Sequence, residues 1–569
     1  MNNKWVALPL LLPLFALLAA CEPATAPAAP ETPAAPVNTA IGVPAISAED
    51  IASHVAVLAS DEFGGRGPSS PGEELTVNYI RDQFAALGLK PGNGDSYFQE
   101  VPLAATTAAA DASLVISGGQ GADQSLAYAD EMVIWTDRIT EHAAIKDSDL
   151  VFVGYGIVAP EYNWDDYEGI DVKGKTVVML VNDPGYATQD PKLFTGNAMT
   201  YYGRYTYKYE EAAKQGAAGA LIIHQSAPAS YGWATVRNSW TGPRFQLEAP
   251  DNNMWRAAVE GWLTEASSRA LFARAGMDMD KMIASASKQG FKASAMGLKA
   301  SAEINNSVRH SLSKNVIALL PGSETPDEYF VYMAHWDHLG TDAALQAAGK
   351  DGIYNGALDN ASGTAALLEL AQAFATAPTP PKRSVIFLSV TAEEQGLLGS
   401  AHYGKNPLFP LAQTVAGLNM DGINTLGATK EISVSGYGLS ELDAVLEQAA
   451  ASQGRRVDPE STPEKGYYYR SDHFNLAKQG VPMIYPRRGV DHITEGKAYG
   501  LAKAQEYIDT RYHMPTDEFD ATWDLSGAAA DVQLYYAVGE AVLNSGNWPN
   551  WQPGTEFRAI RDASRPPAE

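Results

Sequence analysis

A mainly parallel, mixed α/β sheet flanked by helices is the fold class that the second half of this 569-residue chain predicts. Three observations predict it. From Asn315 onward, short apolar runs such as "EYFVYMAHWDHLG", "SVIFLSVTAEE", "TVAGLNMDGIN" and "VPMIYP" alternate with helical stretches such as "NASGTAALLELAQAFATA", and such alternation builds a sheet covered by helices. The run from Ser384 is rich in β-branched and apolar side chains suited to a buried strand, yet it finishes on two adjacent glutamates, Glu393 and Glu394. Polar side chains also close neighbouring runs, and an open α/β sheet binds its ligands beyond the carboxyl ends of its strands.

Taken in order, residues 1–20 read as an export signal: Lys4 precedes an apolar stretch from Val6 to Ala20, and small residues lie just before Cys21. The sequence "LAAC" resembles the bacterial lipoprotein cleavage box. Cys21 is therefore expected to carry lipid and to become the mature N-terminus of a periplasmic or cell-envelope lipoprotein that meets the membrane only through this anchor. It is the only cysteine, so neither a disulfide framework nor a thiolate metal site is available. Residues 21–46 are rich in Pro and Ala and read as an extended tether. In residues 47–129, Ser47 can cap a first helix, and "GEELTVNYIRDQFAALGL" has helical periodicity closed by Gly88. Between 130 and 304 the pattern changes to short strands and helices rich in Gly and aromatics, with no cluster of His and carboxylates at strand ends. This stretch reads as a smaller β/α domain inserted into the first. Residues 305–553 carry the sheet-and-helix pattern, and 554–569 read as a C-terminal tail.

With 41 Lys and Arg against 67 Asp and Glu, the formal charge is −26. Such a chain repels a phosphate backbone and an anionic membrane surface, which excludes nucleic acid as a partner.

The strand ends carry the chemistry. His335 and Asp337 close one run, Glu393 and Glu394 a second, and Asp421 a third; Asp359 lies just before a helix, and His513 sits in the loop "RYHMPTDEFD". Three carboxylates at one sheet edge repel one another unless cations lie between them. Zinc accepts imidazole nitrogen and carboxylate oxygen, and two zinc ions can share one carboxylate. Neighbouring side chains on an extended segment point apart, so Glu394 can face a metal while Glu393 faces the open side. On residue type alone, His338, His473 and His492 are rival ligands. No G-x-S-x-G elbow occurs in the chain, which disfavours a serine hydrolase.

The segments "HWDHLG", "NGALDNASG", "TAEEQGLLGS", "NMDGIN" and "YHMPTDEFD" resemble, in the usual order, the signature segments of the di-zinc aminopeptidases related to glutamate carboxypeptidase and transferrin receptor. More loosely, the inserted stretch resembles a protease-associated domain. The resemblance implies two Zn2+ per chain, one held by His335, Asp359 and Asp421 and the other by Asp359, Glu394 and His513. It implies that Glu393 is the general base on a zinc-bridging water, that Asp337 orients the His335 ring, and that the peptide bond after Asp359 is cis. "RSDH" resembles a substrate-side segment of these enzymes, which assigns oxyanion stabilisation to Arg470 and Tyr512. The expected activity is release of N-terminal residues from peptides. A carboxypeptidase or dipeptidase of the same fold, a glutaminyl cyclase-like transferase and a non-catalytic binding protein are the alternatives. Oligomeric state and preferred residue are not legible.

Overall fold

In the C-terminal half, each apolar run becomes a strand covered on both faces. The computed structural model describes residues 46–109 and 111–565; the expected export signal, Cys21, the tether up to residue 45 and the last four residues lie outside them. Two helices open the fold: α1 (Ala48–Leu58), whose first turn is capped by the Ser47 side chain accepting from the Asp50 amide, and α2 (Pro71–Ala86), capped by Ser70.

The sheet that carries the site is built on β1 (Phe98–Ala108), β2 (Ser294–Leu320), β3 (Thr325–His335), β4 (Arg383–Val390), β5 (Thr414–Asn419), β6 (Glu431–Ser435), β7 (Arg456–Pro459) and β8 (Met483–Arg487), with Lys90–Pro91 and Arg244–Leu247 also paired into it. In space they run β1-β2-β4-β3-β5-β8-β6-β7. The central four, β4, β3, β5 and β8, are mutually parallel, and β1, β2 and β6 join antiparallel. The fold class is thus a mixed α/β sheet with helices on its faces. Along β3, Phe330, Tyr332 and Ala334 enter one core with Ile51, Leu367 and Val538, while Val331 and Met333 enter another with Tyr403, Leu476 and Met483. Side chains of a strand alternate faces, so a strand sandwiched this way must be apolar at every position.

A second layer is built from Met132–Trp135, His142–Phe152, Thr176–Leu180, Gly219–Ile223 and Val259–Leu263. The 27-residue β2 belongs to both layers: its first part pairs with His142–Phe152, its middle with β1 and its end with β4. Two boundaries differ from expectation. The strand Ser113–Gly118 pairs with β2, and Gln124–Leu126 pairs with Ser113–Gly118, so strands joined to the second layer start at Ser113, ahead of residue 130. Both are short and flanked by Ala- and Gly-rich sequence, and the long-range pairing of Ser113–Gly118 on β2 is what draws the pair into the sheet. Residues 554–569, expected as a tail, include the helix Arg558–Ser564, where Arg561 is buried and donates to the Thr414 and Val415 carbonyls at 2.9 and 3.1 Å. A charged side chain buried against main-chain carbonyls leaves no mark in composition. Among the described residues no helix is long and apolar enough to cross a membrane.

The loops at the carboxyl edge are tied down by one residue from the N-terminal part. Arg66, only 1 % exposed, donates from Nε to the Trp336 carbonyl at 2.8 Å, from Nη1 to those of Leu58 and Asn355 at 2.8 and 2.5 Å, and from Nη2 to that of Gly356 at 2.8 Å. Trp336 follows β3, and Asn355 and Gly356 precede Asp359, so a single planar guanidinium fastens together the two segments from which His335 and Asp359 project. Replacing Arg66 by Met leaves several buried carbonyls unpaired at once. A loss of about 3–5 kcal/mol in unfolding free energy is expected in urea titrations, with Arg66→Lys recovering part of it; a loss under about 1 kcal/mol for Arg66→Met contradicts this role.

Candidate metal centre

The carboxyl edge of β3, β4 and β5 gathers the side chains that the sequence placed at strand ends. His335 is the last residue of β3, and Asp421 lies two residues beyond β5. Past β4 the chain turns at Ala392, whose φ of 54° breaks the extended path and re-aims the two glutamates that follow. Asp359 sits in the approach to the helix α3 (Ser362–Thr376), on a peptide bond to Asn360 that is cis. His513 follows the helix α4 (Gly496–Thr510).

Asp359 is the centre of the arrangement. Its Oδ1 lies 3.4 Å from His335 Nε2 and its Oδ2 lies 3.2 Å from His513 Nε2. His335 Nε2 is also 3.6 Å from Asp421 Oδ1, and His513 Nε2 is 3.2 Å from Glu394 Oε2. Ligand-type atoms of His335, Glu393 and Asp421 lie within 4.8 Å of one another, and so do those of His338, Asp359 and Glu394. The two adjacent glutamates thus join different groups, and it is the turn after Ala392, not the alternation of an extended strand, that parts them.

Further contacts hold these groups in place. The Asp337 carboxylate accepts from the backbone amides of Glu393 and Glu394 at 3.0 and 3.4 Å, which fixes the turn carrying both. His335 Nδ1 is held chiefly by the Asp337 main-chain carbonyl at 3.1 Å, with the carboxylate at 3.7 Å. His338 Nδ1 lies 2.6 Å from Glu394 Oε1, so this rival ligand orients Glu394. Asn360 Oδ1 accepts from the amides of Gly363 and Gly422, and its Nδ2 donates to the Met420 carbonyl, joining the Asp359 and Asp421 loops. Asp517 accepts from the amides of Leu358 and Asp359 at 3.2 and 3.1 Å and from the Tyr507 hydroxyl. Arg66, Asn360 and Asp517 were not singled out from sequence. Asn360 and Asp517 stand inside the quoted motifs, but a sequence does not say which amides a carboxylate will meet.

Of the other expected residues, Tyr512 stacks on the His513 ring with centroids 4.0 Å apart and lines the same cavity as Glu393. Arg470 also lines that cavity, which measures about 280 Å3, but its Nη2 donates to the Lys465 carbonyl at 2.6 Å and the Ser230 hydroxyl at 3.3 Å. His492 hydrogen-bonds locally to the Thr494 and Glu495 amides, and both ring nitrogens of His473 are buried without a partner.

The electrostatics state what the site lacks. Burial opposes the charged form of His513, yet Glu394 and Asp359 hold it up at about 11. His335 is raised well above the ordinary range in the same way, against burial, by Glu393 and by contact with Asp337, Asp359 and Asp421. Burial and Asp359 push Glu394 up, but His513 and His338 bring it down to about 2. Glu393 goes the other way: burial, then Glu394, Asp421 and Asp472, raise it well above the carboxylate range, with His335 opposing. Carboxylates crowded enough to raise the proton affinity of two buried imidazoles mark a place that needs positive charge. His335 Nε2 is buried with no hydrogen-bond partner. A nitrogen and oxygen donor set without sulfur, with one carboxylate facing two histidines, fits zinc.

Comparison with known proteins agrees with this chemistry. Mouse "Aminopeptidase NAALADL1" is 33% identical over 247 residues, covering 39% of this chain and 30% of the relative. A "Probable zinc metalloprotease" of Pyrenophora teres f. teres is 36% identical over 235 residues, covering 38% of this chain and 49% of the relative. The chain therefore spans half or less of these relatives' length. Among solved structures, an aminopeptidase from Aneurinibacillus sp. strain AM-1 has a TM-score of 0.48 at 19% identity, covering 88% of this chain and 95% of that one. Residues 315–537, the stretch that carries the histidines, carboxylates, Arg470 and Tyr512 described above, match Peptidase family M28, and the site they build is that of an enzyme.

Proposed function

We propose that this protein is a di-zinc exopeptidase that hydrolyses the N-terminal peptide bond of peptides, with His335, Asp359 and Asp421 holding one metal and Asp359, Glu394 and His513 the other. The observation that carries this reading is the Asp359 carboxylate, with its two oxygens 3.4 and 3.2 Å from two different imidazole nitrogens. Zinc bound at these positions supplies Lewis acidity, which polarises the scissile carbonyl and makes water acidic near neutral pH.

The protein's own groups do the rest. Glu393 lines the cavity, and its environment raises its proton affinity. It therefore takes a proton from the attacking water and later delivers it to the leaving amine, the work of a general base that becomes a general acid. Asp337 keeps Glu393 and Glu394 in separate roles by binding both their amides. His338 fixes the Glu394 carboxylate by donating to it from Nδ1 at 2.6 Å. The Tyr512 hydroxyl, held over the His513 ring, is a donor for the developing oxyanion, and Arg470 adds positive charge to the same cavity.

Glu394→Gln is expected to lower the zinc content of the purified protein, because a neutral amide is a poor ligand. Glu393→Gln should retain the metal while turnover falls by about 10²–10⁴-fold with little change in KM. Equal metal loss in both variants, or full activity of Glu393→Gln, contradicts the division of labour. Tyr512→Phe should lower kcat by about 10²–10³-fold and leave zinc content unchanged. The lipoprotein reading rests on "LAAC": the protein should sediment with membranes, and Cys21→Ser should release it or leave it unprocessed. A wild-type protein found wholly in the soluble fraction argues for a plain cleaved signal.

A further inference from the structure

The cavity over Glu393 holds two opposite kinds of charge. Beside Asp359, Glu393 and Asp421, it is lined by three arginines, Arg470, Arg487 and Arg488. Arg487 ends β8, donates to the Tyr485 hydroxyl at 3.2 Å, and has its charge answered by Asp421 and Glu460. Arg488 has Asp517 as a more distant acidic neighbour, whereas Arg470 has only Arg204 and tyrosines around its charge. Arg488 lies over the Tyr507 ring at 5.3 Å, and Arg470 lies over Tyr467 at 5.2 Å, with Arg487 at 5.5 Å from that same ring. Among the described residues, no carboxylate oxygen comes within the 4.0 Å of an ion pair to any of the three guanidiniums. Arg470 Nε is buried with no partner at all.

Guanidiniums crowded together repel, and burying them without an acid costs free energy. In a chain with 26 more acids than bases, acidic partners are abundant, so cations left out of direct ion-pair contact inside the reaction cavity are arranged for an anion that is not part of the protein. Stacking on tyrosine faces holds each planar fork in one orientation, which suits the two-pronged recognition of a carboxylate. The cavity volume of about 280 Å3 is at the small end of ligand sites and suits a short peptide. Burial, together with neighbouring Arg204, pushes Arg470 down to about 10, in keeping with a cation that lacks its counter-charge.

We propose that Arg470 and Arg488 bind a carboxylate of the peptide substrate, so that the enzyme selects peptides bringing a negative charge to the residues flanking the cleaved bond. The proposal rests on the peptidase reading above. The carboxylate has two sources, the free C-terminus of a dipeptide or an acidic side chain, and both place the same chemistry in the cavity.

The test compares kcat/KM of the zinc-loaded enzyme on two pairs: alanyl-alanine against alanyl-alaninamide, and glutamyl-alaninamide against glutaminyl-alaninamide. A charge-assisted contact predicts a preference of about 10–100-fold for the carboxylate member of at least one pair. The first pair identifies a terminal carboxylate and the second an acidic side chain. In Arg488→Met and Arg470→Met the preference should collapse toward unity, and Arg488→Lys should restore part of it. Calorimetric titration of the same four peptides into the Glu393→Gln protein reads the preference without turnover. Equal rates within both pairs overturn the anion proposal and leave the peptidase standing. Failure to cleave any peptide counts against the peptidase reading, and the calorimetric pairs then decide the anion site alone: equal binding within both overturns it.

Discussion

Crowding of carboxylates at one sheet edge is the constraint on which the rest of this structure depends. Asp359, Glu394 and Asp421 stand within a few ångströms of two histidines, with Glu393 beside them. Anions this close destabilise one another in a poorly hydrated site, and they raise the proton affinity of both imidazoles against the effect of burial. The arrangement is tenable only with positive charge in its midst. It is also what makes chemistry available, because burial and the neighbouring carboxylates raise the proton affinity of Glu393, while His513 and His338 hold Glu394 ionised. Two neighbouring residues of one type acquire opposite tasks from their surroundings.

Such a cluster has to be held by a stiff frame, and the frame is largely made of main-chain contacts. Arg66 binds the carbonyls of the segments after β3 and before α3, Asn360 bridges the Asp359 and Asp421 loops, and Asp517 collects the amides leading into Asp359. Each buried polar group therefore satisfies others that would be left unpaired, and the loops carry the precision usually found in regular elements. Space is equally restricted. A Cβ at Gly363 would meet Asn360 Oδ1 at 2.2 Å, and one at Gly356 would meet the Asp359 carbonyl at 2.2 Å and the His338 ring at 2.5 Å.

The inserted layer bears on the cavity as well as on the fold. It is joined to the site-bearing sheet through the continuous strand β2, and its Ser230 accepts from Arg470, while Asn197 donates to Glu464 and Lys478 reaches Glu210 across the same junction. The loop that supplies Tyr467 and Arg470 is thus set partly by residues from a segment with no strand-end ligands of its own.

The sequence by itself determined the alternation of strands and helices and the gathering of His335, Glu393, Glu394 and Asp421 at strand ends. These follow from local periodicity and from where apolar runs stop, which a chain displays residue by residue. Only the tertiary structure decided that Ser113–Gly118 belongs to the inserted layer, that residues near Arg561 pack back onto the sheet, and that His335 is held chiefly by a carbonyl of Asp337. It alone disclosed Arg66 as the clasp of the ligand loops and the arginines that share the cavity with Glu393. The reason is physical: a polar side chain's role is set by the partners that burial brings to it, and those partners lie tens or hundreds of residues away, where no local pattern records them.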